Sequence, residues 1–378
     1  MPVRPRKILV IDNACYITGS LTSIINMAAS IGEQLEFILV LPTGSNAIEY
    51  VTAAGLKVYT IPMLEISKSL KSLNYLPRLW KNTKRLLQII KEENIDVLHI
   101  NDLYNMLGCT VKRKLPLFPV VYHARLLSTS YIATLYPYFV SMIKRYADKI
   151  ICVSAAVEKD IHRSSKTDII YDTVSIKGGE ARKKGLEYPE YAQILYLANF
   201  VNGKGQQYAI HALKEILNEF PEVKLHFAGG TNSDADERFR QSLMNLARDL
   251  GINNSVIFEP KVSNIEGRIK QADIVLNLSE SESFSMVTLE TMACGVPLVV
   301  SDCGGPAEIT DQGHYADLVP NRDAQAAAMA VKHILKNPDA AKERAKNGMN
   351  FVHEKFDPHI TAKHMINIYT QIISKAGD

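Results

Sequence analysis

Apolar residues along this chain gather in short continuous runs, each followed by a longer stretch of helical character. In the first half the runs fall at 8–11, 36–41, 57–61, 96–100, 118–122 and 150–153, and in the second at 194–198, 223–228, 255–258, 273–278 and 297–300. Uninterrupted apolar runs of this length suit strands buried on both faces, and strands alternating with helices predict a parallel sheet in each half. Between the halves, residues 175–190 are polar, carry Gly178, Gly179 and Gly185, and have no period, as a connection should. The pattern therefore predicts an α/β chain of two Rossmann-like domains, 1–176 and 186–357, with a closing amphipathic helix within 358–378.

One segment breaks the apolar pattern with acids. In Glu280–Glu290, ESESFSMVTLE, the glutamates Glu282 and Glu290 straddle a turn that runs from the strand at 273–278 into a helix, which Gly295 and Pro297 stop before the next strand. Ligands of parallel sheets bind at the carboxyl ends of the strands, which is where this loop lies. On a helical wheel Glu290 falls in the arc of Met286, Leu289 and Ala293 rather than beside Thr288 and Thr291. A carboxylate buried there needs hydrogen-bond donors, and the vicinal diol of a ribose supplies two. The backbone N–H groups of Phe284, Ser285, Met286 and Val287 at the helix start suit phosphate or sugar hydroxyls. Ribose, phosphate and sugar together describe a nucleotide sugar.

The stretch Ser279–Glu308, SESESFSMVTLETMACGVPLVVSDCGGPAE, resembles the signature of the family-4 retaining glycosyltransferases of the GT-B fold. That resemblance implies two parallel-sheet domains facing a cleft, with the last helix crossing back onto the first domain. It implies that Glu282 faces the transferred sugar and Glu290 holds the ribose. Ser283 and Ser285 stand where relatives carry glycine, which leaves the glutamate spacing intact but would narrow the sugar pocket or add hydroxyl donors to it. Four further places match. Gly19, at a strand-to-helix turn, lets the backbone approach a phosphate; His123, ending a strand, reaches the donor sugar; Lys204, in NFVNGKG, neutralises the diphosphate; and the backbone at Lys261 and Val262 reads the base. Asn199 occupies the place of an arginine in many relatives, so Lys204 carries more of the charge, helped by Arg125.

Composition bounds the rest. The five cysteines, Cys15, Cys109, Cys152, Cys294 and Cys303, are scattered without metal or disulfide spacing, and no apolar run reaches membrane-span length. The amino terminus lacks a signal-peptide pattern, so a cytoplasmic protein is expected. Net charge is +3 for the whole chain but divides as +7 over residues 1–175 and −4 over the remainder. The positive excess concentrates at 66–91, where Lys68, Lys71, Arg78, Lys81, Lys84, Arg85 and Lys91 interleave with Leu70, Leu73, Leu76, Leu79 and Trp80 without an acid. Such a stretch either lies on an anionic membrane, at its inner face, or is a solvated cationic helix face. Asp234 and Asp236 form an Asp-x-Asp pattern, yet their place in a polar run reads as the start of a helix rather than a metal site. The expectation is a metal-independent retaining transferase with no resident cofactor and no nucleic-acid partner. It would move a hexose or N-acetylhexosamine from a nucleoside diphosphate, UDP ahead of GDP, to a surface polysaccharide or lipid-linked glycan. A sugar-nucleotide epimerase and a non-catalytic binding subunit are the alternatives.

Overall fold

The computed structural model describes residues 4–63, 75–174 and 189–377. Residues 66–74 of the basic stretch, and 175–188 of the expected connection, lie outside them. The chain forms two compact units, Met1–Thr173 with Phe356–Asp378, and Val174–Lys355.

The first unit is built on a seven-stranded parallel sheet: β1 (Arg6–Ile11), β2 (Leu35–Pro42), β3 (Lys57–Ile61), β4 (Val97–Ile100), β5 (Val120–Ala124), β6 (Lys149–Cys152) and β7 (Thr167–Ile169), in spatial order β3-β2-β1-β4-β5-β6-β7. Ile8, Leu9, Val10 and Ile11 are all fully buried, which is why β1 reads as an unbroken apolar run rather than an alternating one. The order reverses between β1 and β4, and the carboxyl ends there form the crevice that such sheets offer to ligands. Helices α1 (Gly19–Ile31) and α2 (Ile48–Ala53) lead from β1 to β3, while α3 (Tyr75–Glu93), α4 (Leu107–Lys114), α5 (Tyr136–Tyr146) and α6 (Ala155–Asp160) lead from β3 to β7.

The second unit has a six-stranded parallel sheet of β8 (Gln193–Leu197), β9 (Lys224–Ala228), β10 (Val256–Glu259), β11 (Ile274–Asn277), β12 (Leu298–Ser301) and β13 (Asp317–Val319), ordered β10-β9-β8-β11-β12-β13. Its helices are α7 (Gln206–Ile216), α8 (Asp234–Asp249), α9 (Ile265–Gln271), α10 (Met286–Ala293), α11 (Gly305–Ile309), α12 (Ala324–Lys336) and α13 (Pro338–Lys355). Here the order reverses between β8 and β11, so the loops after those strands, holding Lys204 and Glu282, share one edge of the sheet.

The last helix, α14 (Pro358–Gly377), belongs to the first unit. Its residues Ala362, Met365, Ile368, Tyr369 and Ile372 enter the same core as Leu21, Ile24 and Ala28 of α1, and burying each large side chain contributes about 1.5–3 kcal/mol. At its centre the hydroxyl of Tyr369 lies 2.6 Å from Nδ1 of His99 in β4, both residues fully buried. That hydrogen bond ties helix to sheet, and burial pushes the imidazole of His99 down to about 3, keeping it neutral.

Candidate active site

In the second unit Glu282 is held by its backbone before its side chain acts. Its N–H donates to the carbonyl of Cys303 at 3.1 Å and its own carbonyl accepts from Gly305 N–H at 2.8 Å, a single parallel bridge that joins the loop after β11 to the loop after β12. The approach is close enough that a Cβ on Gly305 would sit 2.3–2.6 Å from backbone atoms of Phe284, so no other residue fits. Opposite, the loop after β8 bends at Gly205, where φ is 75° and a Cβ would meet the carbonyl of Leu278 at 1.8 Å. Tyr196 cements this contact, since its hydroxyl donates to the carbonyl of Lys204 and accepts from Leu278 N–H. Two glycines and one buried tyrosine thus bring Lys204 Nζ to 2.7 Å from Glu282 Oε1 at the sheet's switch point. The ammonium of Lys204 stays more open than the carboxylate, with 37% of its side chain exposed against 17%.

Ser285 starts α10 with φ at 92°, a left-handed angle that glycine would hold without strain. Its hydroxyl accepts from Thr288 N–H at 3.3 Å and from Nδ2 of Asn277 at 2.8 Å, and lies 2.9 Å from the hydroxyl of Thr288. The expectation that this serine adds a hydroxyl to a sugar pocket fails, because the group turns inward and caps the helix. Phe284 beside it is buried. Of the N–H groups expected for a ligand, those of Met286 and Val287 open the first turn of α10.

The helical wheel set Glu290 beside Met286 and away from Thr288 and Thr291, and it lies there, but the buried side of α10 is the one that carries the threonines. Thr288, Leu289, Thr291 and Met292 face the interior, and Glu290 shares the half-buried side with Met286 and Val287. The threonines can face inward because their hydroxyls are satisfied locally, Thr291 donating to the carbonyl of Val287 at 2.7 Å and Thr288 joining Asn277. The expected need of the acid for donors stands. No hydrogen-bond or ion-pair partner reaches its carboxyl among the described residues, and burial alone pushes it up to about 7.

Around this centre the other residues fall on the same strand-end loops. Oδ1 of Asn199 accepts from Gly230 N–H at 3.2 Å, tying the loops after β8 and β9, and the side chain of Lys261 lies against Gly230. Lys261 is exposed and Val262 half-buried. Their loop is anchored by Glu259 at the end of β10, which accepts two hydrogen bonds from Arg268 at 2.9 and 2.7 Å and lies 2.7 Å from Nδ1 of His226. Arg268 first and His226 second hold this carboxyl below its ordinary range. Asp236 takes hydrogen bonds from Asn232 N–H and the Ser233 hydroxyl at the start of α8, so this acid serves as a helix cap.

In the first unit Gly19 is the exposed first residue of α1, capped by Thr18. His123 is 3% exposed, its ring 5.4 Å from that of His99, and neither of its nitrogens has a hydrogen-bond partner among the described residues. Burial, with Arg125 second, drives its imidazole far below the usual range, so it is neutral. Arg125 does not supply the spare cation expected of it. It is 6% exposed, pairs with Asp172 and donates to Oδ1 of Asn101 at 2.8 Å, while Asn101 donates to the buried Asp12 and Asp172 also accepts from Ser23. Beside this network Asp102, approached by Asn13 and the Tyr131 hydroxyl, is pushed up to about 7 by burial and then by Asp12.

Sequence reasoning missed Asp12, Asn101, Asp102 and Asp172, and it met Gly205 and Gly305 only as members of motifs, without their structural role. A signal existed for the first three: each polar residue directly follows a buried apolar strand, Ile11-Asp12 and Ile100-Asn101-Asp102, and so must sit on the strand-end edge. Asp172 had none, because its partners Arg125 and Ser23 are distant in sequence.

Comparison with known proteins accords with this geometry. Residues 18–176 match the model of "Glycosyltransferase Family 4" and residues 179–351 that of "Glycosyl transferases group 1". The chain is 28% identical over 180 residues to N-acetyl-alpha-D-glucosaminyl L-malate synthase of Bacillus anthracis, covering 48% of this chain and 45% of that protein. It is 27% identical over 206 residues to D-inositol 3-phosphate glycosyltransferase of Corynebacterium kroppenstedtii, covering 53% and 45%. The chain thus spans about half the length of the curated relatives it matches. Among solved structures, Anabaena HepE in complex with UDP and glucose superposes with a TM-score of 0.81 at 19% identity, covering 97% of this chain and 99% of that one. Sucrose-phosphate synthase from Thermosynechococcus elongatus gives 0.79 at 20% identity, covering 98% and 99%. With its paired parallel sheets, its two family matches and its signature loop at the strand ends, the chain belongs to the family-4 type glycosyltransferases of the GT-B fold.

Proposed function

We propose that this protein is a retaining glycosyltransferase that moves a hexose or N-acetylhexosamine from a nucleoside diphosphate, UDP ahead of GDP, to an acceptor hydroxyl. The observation that carries the proposal is the pair Lys204–Glu282 at 2.7 Å, fixed by the backbone at the switch point, with the unpartnered carboxyl of Glu290 on the helix that follows. In this scheme Lys204 neutralises the departing diphosphate, Glu282 orients the sugar, and the first turn of α10 receives phosphate or sugar oxygens. A ribose diol supplies the two donors that Glu290 lacks. The backbone at Lys261 and Val262, which Asn199 and Glu259 brace, meets the base.

The acceptor attacks on the face the diphosphate leaves, and a donor phosphate oxygen takes its proton, so no protein base is required. Metal is not required either, since the cationic work falls to Lys204 and the helix start. UDP in the HepE structure supports the choice of nucleotide. The acceptor is a glycan of a surface polysaccharide or a lipid-linked saccharide, met at the inner face of the membrane.

Transfer from labelled UDP- and GDP-sugars in EDTA, with the product anomer read by NMR, tests the proposal. Retention of configuration and a loss of about a hundredfold in kcat for Lys204→Ala are expected. An inverted anomer, a strict Mn²⁺ requirement or unchanged turnover in Lys204→Ala would overturn it. Interconversion of donors without acceptor would identify an epimerase instead.

A further inference from the structure

The helices of the first unit divide by face, and one face carries a surface that the transfer chemistry does not use. Right-handed crossovers place α1 and α2, which step from β1 towards β3, on one side of the sheet, and α3, α4 and α5, which step from β3 towards β6, on the other. The α1 side is covered by α14, and α3 packs on α4 and α4 on α5 to form a continuous outer layer. Lys81, Lys84 and Arg85 on α3, Arg113 and Lys114 ending α4, and Arg145 on α5 are all exposed on that layer. The acids of the three helices are Glu92 and Glu93 alone, both at the end of α3. Glu93 is taken by Lys57 at 2.6 Å and Glu92 lies 3.9 Å from Arg85, so of these cations Lys81, Lys84, Arg113, Lys114 and Arg145 are the ones that no acid pairs among the described residues.

Large apolar side chains stand in solvent among these charges. Leu76 is 72% exposed, Trp80 61% and Tyr138 56%, all near the starts of α3 and α5, and Leu117 is 75% exposed just beyond the end of α4. The ammonium of Lys84 lies 3.7 Å from the ring centroid of Trp80, so cation and aromatic present themselves as one unit. A purely solvated cationic face has no use for exposed leucines at both ends. A nucleic acid would match the charges and stack on the aromatics but not the leucines, whereas a lipid headgroup region accepts all three kinds of side chain.

We propose that the α3–α4–α5 face docks flat on an anionic lipid bilayer, with Trp80, Leu76, Tyr138 and Leu117 entering the headgroup region and the lysines and arginines meeting lipid phosphates. The proposal extends the expected contact of residues 66–91 to a folded surface of three helices, and it stands whether or not the proposed transfer is correct.

Trp80 is the sole tryptophan, so intrinsic fluorescence of the full chain reads this surface directly. The chain is titrated with vesicles of phosphatidylcholine alone and of phosphatidylcholine mixed equally with phosphatidylglycerol. Expected with the anionic vesicles only are a blue shift, quenching by brominated acyl chains, co-sedimentation, and release of the protein at about 0.5 M salt. The variant carrying Lys81→Gln, Lys84→Gln and Arg85→Gln should bind about fivefold more weakly for each charge removed, with an unchanged circular dichroism spectrum. Should that variant fail to fold, Leu117→Ser, at a fully open position, is expected to weaken vesicle binding and leave the fold intact. Equal response to both vesicle types, no response to either, unchanged affinity in the variant that folds, or tighter binding to duplex DNA or RNA at the same salt would overturn the proposal.

Discussion

At Ser285 a serine holds a backbone angle that favours glycine, and its hydroxyl compensates by capping α10 and joining Asn277 to Thr288. Removing that hydroxyl while keeping a Cβ should cost most. Ser285→Ala is expected to lose about 2 kcal/mol of stability in urea unfolding, and Ser285→Gly clearly less, because glycine forfeits the cap but relieves the left-handed strain. The reverse order would mean that the network, not the angle, dominates. Glu290 carries a pH prediction. Its folded value of about 7 lies above the ordinary 4.5, so its contribution to stability is fully present below pH 4.5 and is lost as pH rises through 7. Glu290→Gln should flatten that dependence. If a ribose diol donates to the charged form, UDP-glucose, whose diphosphate does not titrate here, should bind more tightly as pH rises from about 6 to 8 in the parent and not in Glu290→Gln. Calorimetric titration across that range checks both chains.

At the scale of elements, the bridge between the loops after β11 and β12 is the part on which the site depends most. Gly305→Ala forces its Cβ into the backbone of Phe284, and since neither backbone can yield without breaking the Glu282 bridge, donor binding should fall by more than tenfold while the sheet remains folded. Calorimetry with UDP-glucose and the circular dichroism spectrum separate the two effects. Normal affinity in Gly305→Ala would show that the bridge is dispensable. The strands with long apolar runs were legible because burial on both faces leaves no polar positions. The edge strands β7 and β13 were not, since Thr167–Ile169 and Asp317–Val319 are three residues each and carry an acid. The helical wheel placed Glu290 beside Met286 correctly but read the threonine side of α10 as outward, because it counts threonine as polar and has no term for a hydroxyl satisfied within its own turn.

For the whole molecule, two units with separate cores should unfold as two events. Scanning calorimetry is expected to show two transitions, or one whose van't Hoff enthalpy falls below the calorimetric value, and UDP should raise only the transition of the second unit. A single transition raised as a whole would show instead that the units melt together. The amino-acid sequence by itself determined the alternation of strand and helix, the two-sheet class, the spacing of Glu282 and Glu290 and the uneven charge, since all of these follow from neighbours along the chain. Only the tertiary structure decided that Lys204 meets Glu282 across 78 positions, that Arg125 is spent on Asp172, and that three separate helices combine into one cationic face. Those outcomes depend on sheet order, and a parallel sheet places side by side residues that no local period relates.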